Sequence, residues 1–441
     1  MTITRFAPSP TGLLHIGNIR TALVNYLYTR KKNGKFMLRM DDTDVVRSKE
    51  EYASGIIEDL KWMGFEWEIF AKQSERTNRY EEVKNQLLKD GRLYPCYEPQ
   101  EEIEIKRKMQ LSRGVPPIYD RSALKLTDEQ KEQFAVEGRK PHYRFLLKDA
   151  PIIWDDEIRG STKFEGKNLS DPVLIREDGT MTYILSSVID DIDYKITNII
   201  RGEDHVTNTA IQIQIFDCLN AAPPTFAHLA LLKTKDSEMS KRTGGFDIRS
   251  LKDNGIESIT IASLIAKIGT SMPIEPRISL DELINEFDIK KFSRAPANYD
   301  VQDLERLNHK VIADLPFAQV INKLSNKEID ENFWNLVRSN INKISEVEDW
   351  WQICKKQVTP IIDDKELMVH AIATFPESAL NENSWNEWTK ILSEKSGKKG
   401  KMLFMPLRKA LTAMEHGPEL KSMLPLIGRD KIIKRLNGEL A

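Results

Sequence analysis

The chain has 441 residues, 40% hydrophobic and 30% charged, with a formal net charge of -2. At about 150 residues per domain this length predicts about three domains, and the composition excludes wholesale disorder. The balance of 65 Lys and Arg against 67 Asp and Glu excludes a uniformly basic nucleic-acid coat but leaves room for a local basic face.

Cys96, Cys218 and Cys354 are the only cysteines and form no CxxC pair. They predict reduced thiols in a cytoplasmic protein rather than a disulfide framework. The opening residues, Met-Thr-Ile-Thr-Arg-Phe-Ala-Pro, lack the apolar stretch of a signal peptide. No apolar run approaches the roughly 20 residues of a membrane helix, so no membrane partner is expected.

Along the chain, the first 45 residues read as strand, helix and strand. Ile3 to Ala7 is a short strand. A Pro- and Gly-rich loop follows, and then Ile19, Ala22, Leu23, Tyr26 and Leu27 recur at the spacing of one helix face. Asn18 is the expected N-cap and Gly34 the expected stop. Lys35 to Met40 is a second strand, ending in Asp41-Asp42-Thr43-Asp44. This order predicts a parallel sheet, whose ligands bind at the carboxyl ends of the strands. The loop at 8–18 and the acidic cluster at 41–44 therefore converge on one crevice.

From about residue 95 to 180 the sequence is rich in Glu, Lys and Arg and broken by Tyr94-Pro95 and Pro116-Pro117. It reads as an insertion into the sheet domain. Sheet-like sequence resumes at Met181 to Leu185 and again at Lys195 to Arg201, and 207–219 is helical. After about residue 305 no strand pattern remains, which predicts an all-α region. Its last stretch, from Ile391 on, carries eleven Lys or Arg against five Asp or Glu. This is a solvated helix surface or a nucleic-acid face.

Two segments could carry chemistry. Gly12-xxxx-Gly17 resembles the opening of a P-loop, but Asn18-Ile19 stands where Lys and Ser/Thr are needed. What it offers is a glycine loop feeding a helix N-terminus, with His15 at the entrance, a setting that favours phosphate. The second segment is Glu238-Met239-Ser240-Lys241-Arg242-Thr243-Gly244-Gly245. Two adjacent cations in a Ser/Gly-rich loop suit a clamp on a polyphosphate.

His15-Ile16-Gly17-Asn18 resembles the HIGH signature of class I aminoacyl-tRNA synthetases, and Glu238-Met239-Ser240-Lys241-Arg242 resembles their KMSKS loop. Arg5-Phe6-Ala7-Pro8-Ser9-Pro10-Thr11-Gly12, Arg20-Thr21-Ala22-Leu23, Asp42-Thr43-Asp44 and Ile200-Arg201-Gly202-Glu203-Asp204-His205 look like bacterial-type glutamyl-tRNA synthetases. So do Lys401 to Arg408 and His416 to Leu420. The resemblance spans nearly the whole chain in the family's order.

It implies an α/β Rossmann-like catalytic domain with an α+β insertion, followed by an all-α anticodon-binding region. The catalytic domain would occupy 1–94 and 181–235, the acceptor-end-binding insertion 95–180, and a stem-contact region with the KMSKS-like loop 236–305. The helical anticodon-binding domain would be 306–441. The implied reaction is ATP-dependent ligation of L-glutamate to the 3' end of tRNA-Glu through a glutamyl-adenylate. Charging of tRNA-Gln, in addition or instead, is the alternative, and a catalytically silent tRNA-binding paralogue is another.

Carried over by motif, His15 and Lys241 are the catalytic candidates. ATP would meet His15, Gly17, Asn18, Asp204, Lys241 and Arg242. Glutamate would meet Arg5, Ser9, Asp41, Tyr183 and Arg201, with the arginines facing its carboxylates and Asp41 its ammonium. Pro8, Ser9, Gly12 and Ile16 complete the HIGH-like motif. Asp41 stands where the family usually has Glu, and Glu238 replaces the first lysine of KMSKS. Cys96-Tyr97-Glu98 lacks the second thiol of the Cys-x-Cys that opens a zinc site in some relatives. No structural zinc is therefore expected, Mg²⁺ would enter with ATP, and a monomer is expected.

Overall fold

The computed structural model describes the chain except Val45, residues 235–246 and Glu382. It divides into two compact units. One comprises Met1–Leu251, Ala262–Ile274 and Ser279–Asp300; the other comprises Lys252–Ile261, Glu275–Ile278 and Val301–Ala441.

The first unit opens as expected with β1 (Ile3–Phe6), α1 (Ile16–Lys31) and β2 (Lys35–Met40). β1 and β2 pair in parallel, Ile3 opposite Lys35. After α2 (Glu50–Trp62), β3 (Ile69–Lys72) adds in parallel to β2, and α3 (Thr77–Lys89) follows. All five apolar side chains read as the face of α1 are buried. Each such Leu or Ile contributes roughly 1.5–3 kcal/mol by leaving water.

The ends of α1 differ from expectation. The helix starts three residues before Ile19, and its N-cap is His15; Asn18 sits at the third helical position and closes a capping box. Gly34 is not the left-handed stop. Asn33 takes that conformation, with φ of 49°. Gly34 is instead a close approach: a Cβ there would lie 2.3 Å from the Thr2 carbonyl oxygen, where β2 begins beside β1.

Three strands of the next segment form a small antiparallel sheet. They are β4 (Leu93–Cys96), β5 (His142–Phe145) and β8 (Val173–Ile175), with α4 (Gln100–Ser112) and α5 (Asp128–Val136) between the first two. The hairpin of β6 (Pro151–Asp156) and β7 (Gly160–Glu165) pairs elsewhere. β6 runs parallel to β10 (Thr225–Leu229), which runs parallel to β9 (Asn198–Gly202). Thus 151–165, inside the segment read as an insertion, supplies two strands to the large sheet. The signal was present: in β6 Ile152, Trp154 and Asp156 are buried and their neighbours exposed, the period-2 pattern of a strand with one covered face.

Met181 to Leu185, read as sheet-like, leads instead into α6 (Tyr183–Asp193). Leu185, Val188 and Ile189 are buried together at helical spacing, which overrides the β preference of Tyr-Ile. α7 (Val206–Cys218) lies where a helix was expected. β11 (Leu232–Thr234) pairs in parallel with β12 (Ala297–Tyr299).

The two halves of the main sheet meet at β1 and β9. The Thr197 N–H donates to the Ile3 carbonyl at 2.9 Å, and the Ile3 N–H donates to Thr197 Oγ1 at 2.9 Å. From β1, the chain builds outward to β2 and β3 on one side and, much later, to β9 and β10 on the other. That reversal is a topological switch point, where open α/β sheets form a crevice.

The second unit is helical from Val301 on, as expected. Trp334 and Trp388 are buried, and their indole N–H groups donate to the carbonyls of Leu315 (2.9 Å) and Ala371 (3.0 Å). Arg435, one cation of the basic stretch, is not on its surface. It is buried and donates to the carbonyls of Leu411, Ile353 and Ala441. No helix among the described residues is long and apolar enough to cross a membrane.

Candidate active site

A cleft of about 510 Å³ opens at the carboxyl ends of β1, β2, β9 and β10. It brings together most of the residues singled out from sequence. Arg5, Pro8, Ser9, His15, Gly17 and Asn18 line it from the β1–α1 side, and Asp41, Tyr183, Arg201 and Asp204 line it from the others. Gly12 and Ile16 do not line it; Ile16 is buried beneath α1. Glu238, Met239, Ser240, Lys241 and Arg242 lie outside the described residues. The flanks of that segment are placed: Leu232 lines the cleft, and Asp247 forms a β-bridge with His15.

His15 holds a defined tautomer. Its Nδ1 accepts from the backbone N–H groups of Gly17 (3.1 Å) and Asn18 (3.4 Å), so the neutral ring carries its proton on Nε2. Burial lowers its pKa, which keeps the ring neutral. The cap explains Gly17: a Cβ there would lie 3.0 Å from His15 Cε1.

The wall formed by β1, β2 and α6 is a closed ion-pair network. Arg5 donates from Nε and Nη2 to the two oxygens of Asp191 (3.0 and 3.4 Å). Arg39 binds Asp41 through two parallel bonds of 2.6 and 3.1 Å, and reaches Asp191 at 3.0 Å. Asp190 accepts from Arg76 and Gln73, both at 2.7 Å, and from the Tyr80 hydroxyl at 3.0 Å. Burial pushes the Asp41 pKa up against the opposing pull of Arg39. Arg5, Arg39 and Arg76 thus face Asp41, Asp190 and Asp191, the chain runs on from Arg76 to Asp193 and Arg79, and each charge here has a partner.

The opposite wall, from β9, β10 and α7, is different. Arg201 is 8% exposed, and its contacts are neutral. Nη2 donates to Thr209 Oγ1 (2.5 Å) and Gln212 Oε1 (2.7 Å), and Nε points to His228 Nε2 at 3.5 Å. Among the described residues no carboxylate lies within 4 Å of it. Burial, with the nearby charge of Arg5, lowers its pKa to about 10, so it remains cationic at neutral pH. The Tyr183 hydroxyl lies between His205 Nδ1 (3.3 Å) and the Asn208 amide at the same mouth.

Sequence reasoning missed Arg39, Asp190, Asp191, Thr209, Gln212 and His228. Charged residues inside apolar strands and on the buried face of an amphipathic helix were the available signal. Arg39 carries it in β2 as Arg5 does in β1, two residues beyond Met37, the register partner of Arg5. Cys96 is buried in the insertion's small sheet opposite His142, and burial pushes its thiol up to about 12.

A parallel sheet with a polar cleft at its switch point, entered by a glycine loop and a helix N-terminus, defines a nucleotide-binding α/β enzyme fold. The family model for the catalytic domain of class I tRNA synthetases (E and Q) matches residues 1–306, and an anticodon-binding-domain model matches 318–440. The chain belongs to the class I tRNA synthetases of this E and Q group. It is 54% identical over 442 residues to glutamate–tRNA ligase 1 of Rickettsia felis, covering 99% of each chain. It is likewise 54% identical over 444 residues to glutamate–tRNA ligase 1 of Rickettsia rickettsii, again covering 99% of each. Among solved structures, a glutamate tRNA ligase from Elizabethkingia meningosepticum, in complex with its amino acid, superposes with a TM-score of 0.84. That pair is 25% identical, with 99% of this chain and 98% of that chain covered.

Proposed function

We propose that the protein activates L-glutamate with ATP and transfers it to the 3' end of tRNA-Glu. The observation that carries this is Arg201: a buried guanidinium in the cleft, beside a balanced ion-pair network and without an anion of its own. The carboxylate of a glutamate side chain would supply that anion, and the amide of a neutral analogue would not. Burying an unpaired charge is costly, so a site that keeps one is built for its partner.

In this reading Arg201 takes the side-chain carboxylate. Asp41, held in place by Arg39, takes the ammonium, with the Ser9 and Tyr183 hydroxyls beside it. Arg5 commits Nε and Nη2 to Asp191, which leaves Nη1 for the ligand. The α-carboxylate oxygen attacks the α-phosphorus of ATP, and the bond to pyrophosphate breaks. The terminal ribose hydroxyl of tRNA then attacks the acyl carbon and AMP leaves. Catalysis is positioning and charge stabilisation, with no covalent enzyme intermediate.

His15, through Nε2–H, donates to the phosphate. Lys241 and Arg242 act as the polyphosphate clamp, a role that rests on their motif. Gly17, Asn18 and Asp204 complete the nucleotide end. Among the described residues no group of three or more His, Cys, Asp or Glu is arranged to hold a metal. A Mg²⁺ entering with ATP would take mostly phosphate and water ligands and offset charge on the phosphates. The insertion receives the acceptor end, and 306–441 reads the anticodon.

Charging purified tRNA-Glu and tRNA-Gln transcripts separately tests this. ATP-dependent esterification of glutamate to tRNA-Glu is expected, with glutamine rejected by about 10³-fold or more. Charging of tRNA-Gln alone would transfer the reading to that substrate. Binding of tRNA without release of pyrophosphate would leave only the silent paralogue.

A further inference from the structure

Arg201 and His228 are register partners on the adjacent parallel strands β9 and β10. Behind them a buried chain of hydrogen bonds bears on the tautomer of His228. Asp156 Oδ1 accepts from the backbone N–H groups of Ile158 (3.1 Å), Arg159 (2.9 Å) and His228 (3.2 Å), as only a carbonyl-like or ionised oxygen can. Against the effect of burial, its hydrogen bonds hold the Asp156 pKa below the usual carboxylate value, so Oδ2, 2.5 Å from His228 Nδ1, accepts the proton that nitrogen carries. His228 Nε2 is then an acceptor. It faces Thr209 Oγ1 at 2.9 Å and Arg201 Nε at 3.5 Å, and Thr209 Oγ1 accepts from Arg201 Nη2. Asp156 and His228 are both buried.

From this chain we infer that His228, held in one tautomer by Asp156, is a positioning residue that aims Arg201 at the substrate's side-chain carboxylate. The inference rests on the reading of Arg201 given above. Its physical logic is orientation without neutralisation. A carboxylate placed directly on Arg201 would fix the guanidinium but cancel the charge that distinguishes glutamate from glutamine. A neutral imidazole at Nε, backed by Thr209 and Gln212 at Nη2, orients the guanidinium and leaves the charge for the ligand. The anion that locks the imidazole stands one residue further back. On the other wall Arg5 and Arg39 are fixed directly by aspartates, which already offset their charge.

The test compares His228→Asn, His228→Gln and Asp156→Asn with the wild type, in full-length protein, by steady-state ATP–pyrophosphate exchange with any required tRNA present. The asparagine at 228 can still donate to Asp156 but cannot reach Arg201 or Thr209; the glutamine places an acceptor near the Nε2 position. Asp156→Asn keeps Oδ1 for the three backbone donors and makes the other atom a donor, which forces His228 into the opposite tautomer.

The expected result is that His228→Asn and Asp156→Asn each raise the KM for glutamate about tenfold or more, the equivalent of one lost hydrogen bond. The KM for ATP stays the same, and the preference for glutamate over glutamine shrinks. His228→Gln returns most of the glutamate KM. Unchanged glutamate KM in Asp156→Asn, an equal rise in the KM for ATP, or no rescue by a folded His228→Gln would each overturn the inference. A wild type that forms no glutamyl-adenylate would instead overturn the parent reading, and is scored first. If His228→Asn does not fold, Asp156→Asn decides.

Discussion

The two walls of the cleft use the same side chain in opposite ways. On the β1–β2 wall, Arg5 and Arg39 are locked to Asp41 and Asp191, and Asp190 is locked to Arg76. On the β9–β10 wall, Arg201 has only Thr209, Gln212 and His228. The first arrangement ties strands to helix, with each of its charges already paired. The second holds no anion among the described residues, and in the proposed reading the substrate supplies it. Between these two walls the difference lies in the charge of the partners, not in burial.

The largest effect should follow from breaking the locked wall. Asp191→Asn leaves Arg5 and Arg39 facing a neutral amide, and should destabilise the protein by about 3–5 kcal/mol. Urea unfolding of the isolated protein measures this, and a loss under about 1 kcal/mol would mean that the network does not hold the fold.

His15, in the loop between β1 and α1, should show the converse: little stability, much rate. Asparagine is a good N-cap, so His15→Asn preserves an acceptor for Gly17 and Asn18 while removing Nε2–H. Adenylate formation should fall by about 10²–10³ with the melting temperature nearly unchanged. Rapid-quench single-turnover measurement reads the first quantity and calorimetry the second.

On the open wall, Arg201→Gln should raise the KM for glutamate by about 100-fold and shrink the preference over glutamine. Arg5→Gln run in parallel should leave that preference intact, even if activity falls. If the two variants exchange these phenotypes, the walls have been assigned the wrong way round. The smallest effect is on the stability of Arg201→Gln without ligand. Removing an unpaired buried cation offsets the acceptors it orphans, so the change should stay within about 1 kcal/mol. A loss as large as that of Asp191→Asn would erase the contrast between the walls.

The sequence made the opening βαβ unit legible because its periodicities are long and uninterrupted: β2 and the buried face of α1 lie where read. The place of Arg5 and Arg201 at the cleft was legible because motif and chemistry agreed. The locking residues were not, since Asp190 and Asp191 sit in an apolar helix that Tyr183-Ile184 made look like a strand. β6 was hidden because its alternation lies within a charged, proline-broken segment, and its parallel partner β10 is some 70 residues away. His228 carried no local signal at all; its meaning comes from the register that sets it beside Arg201. The Lys241 assignment stays a reading of the motif, outside the described residues.

The seam between β1 and β9 has a consequence for how the protein is made. Ile3 meets Thr197, 194 residues further along the chain. At about 5–20 residues per second, a ribosome needs roughly 10–40 s to deliver that partner. During this interval one edge of β1 is unpaired, and Arg201 has not yet been synthesised when the first half of the cleft is out. The nascent chain thus carries an open strand edge beside a half-built cleft, the state in which chaperone binding or premature edge-to-edge pairing competes with folding.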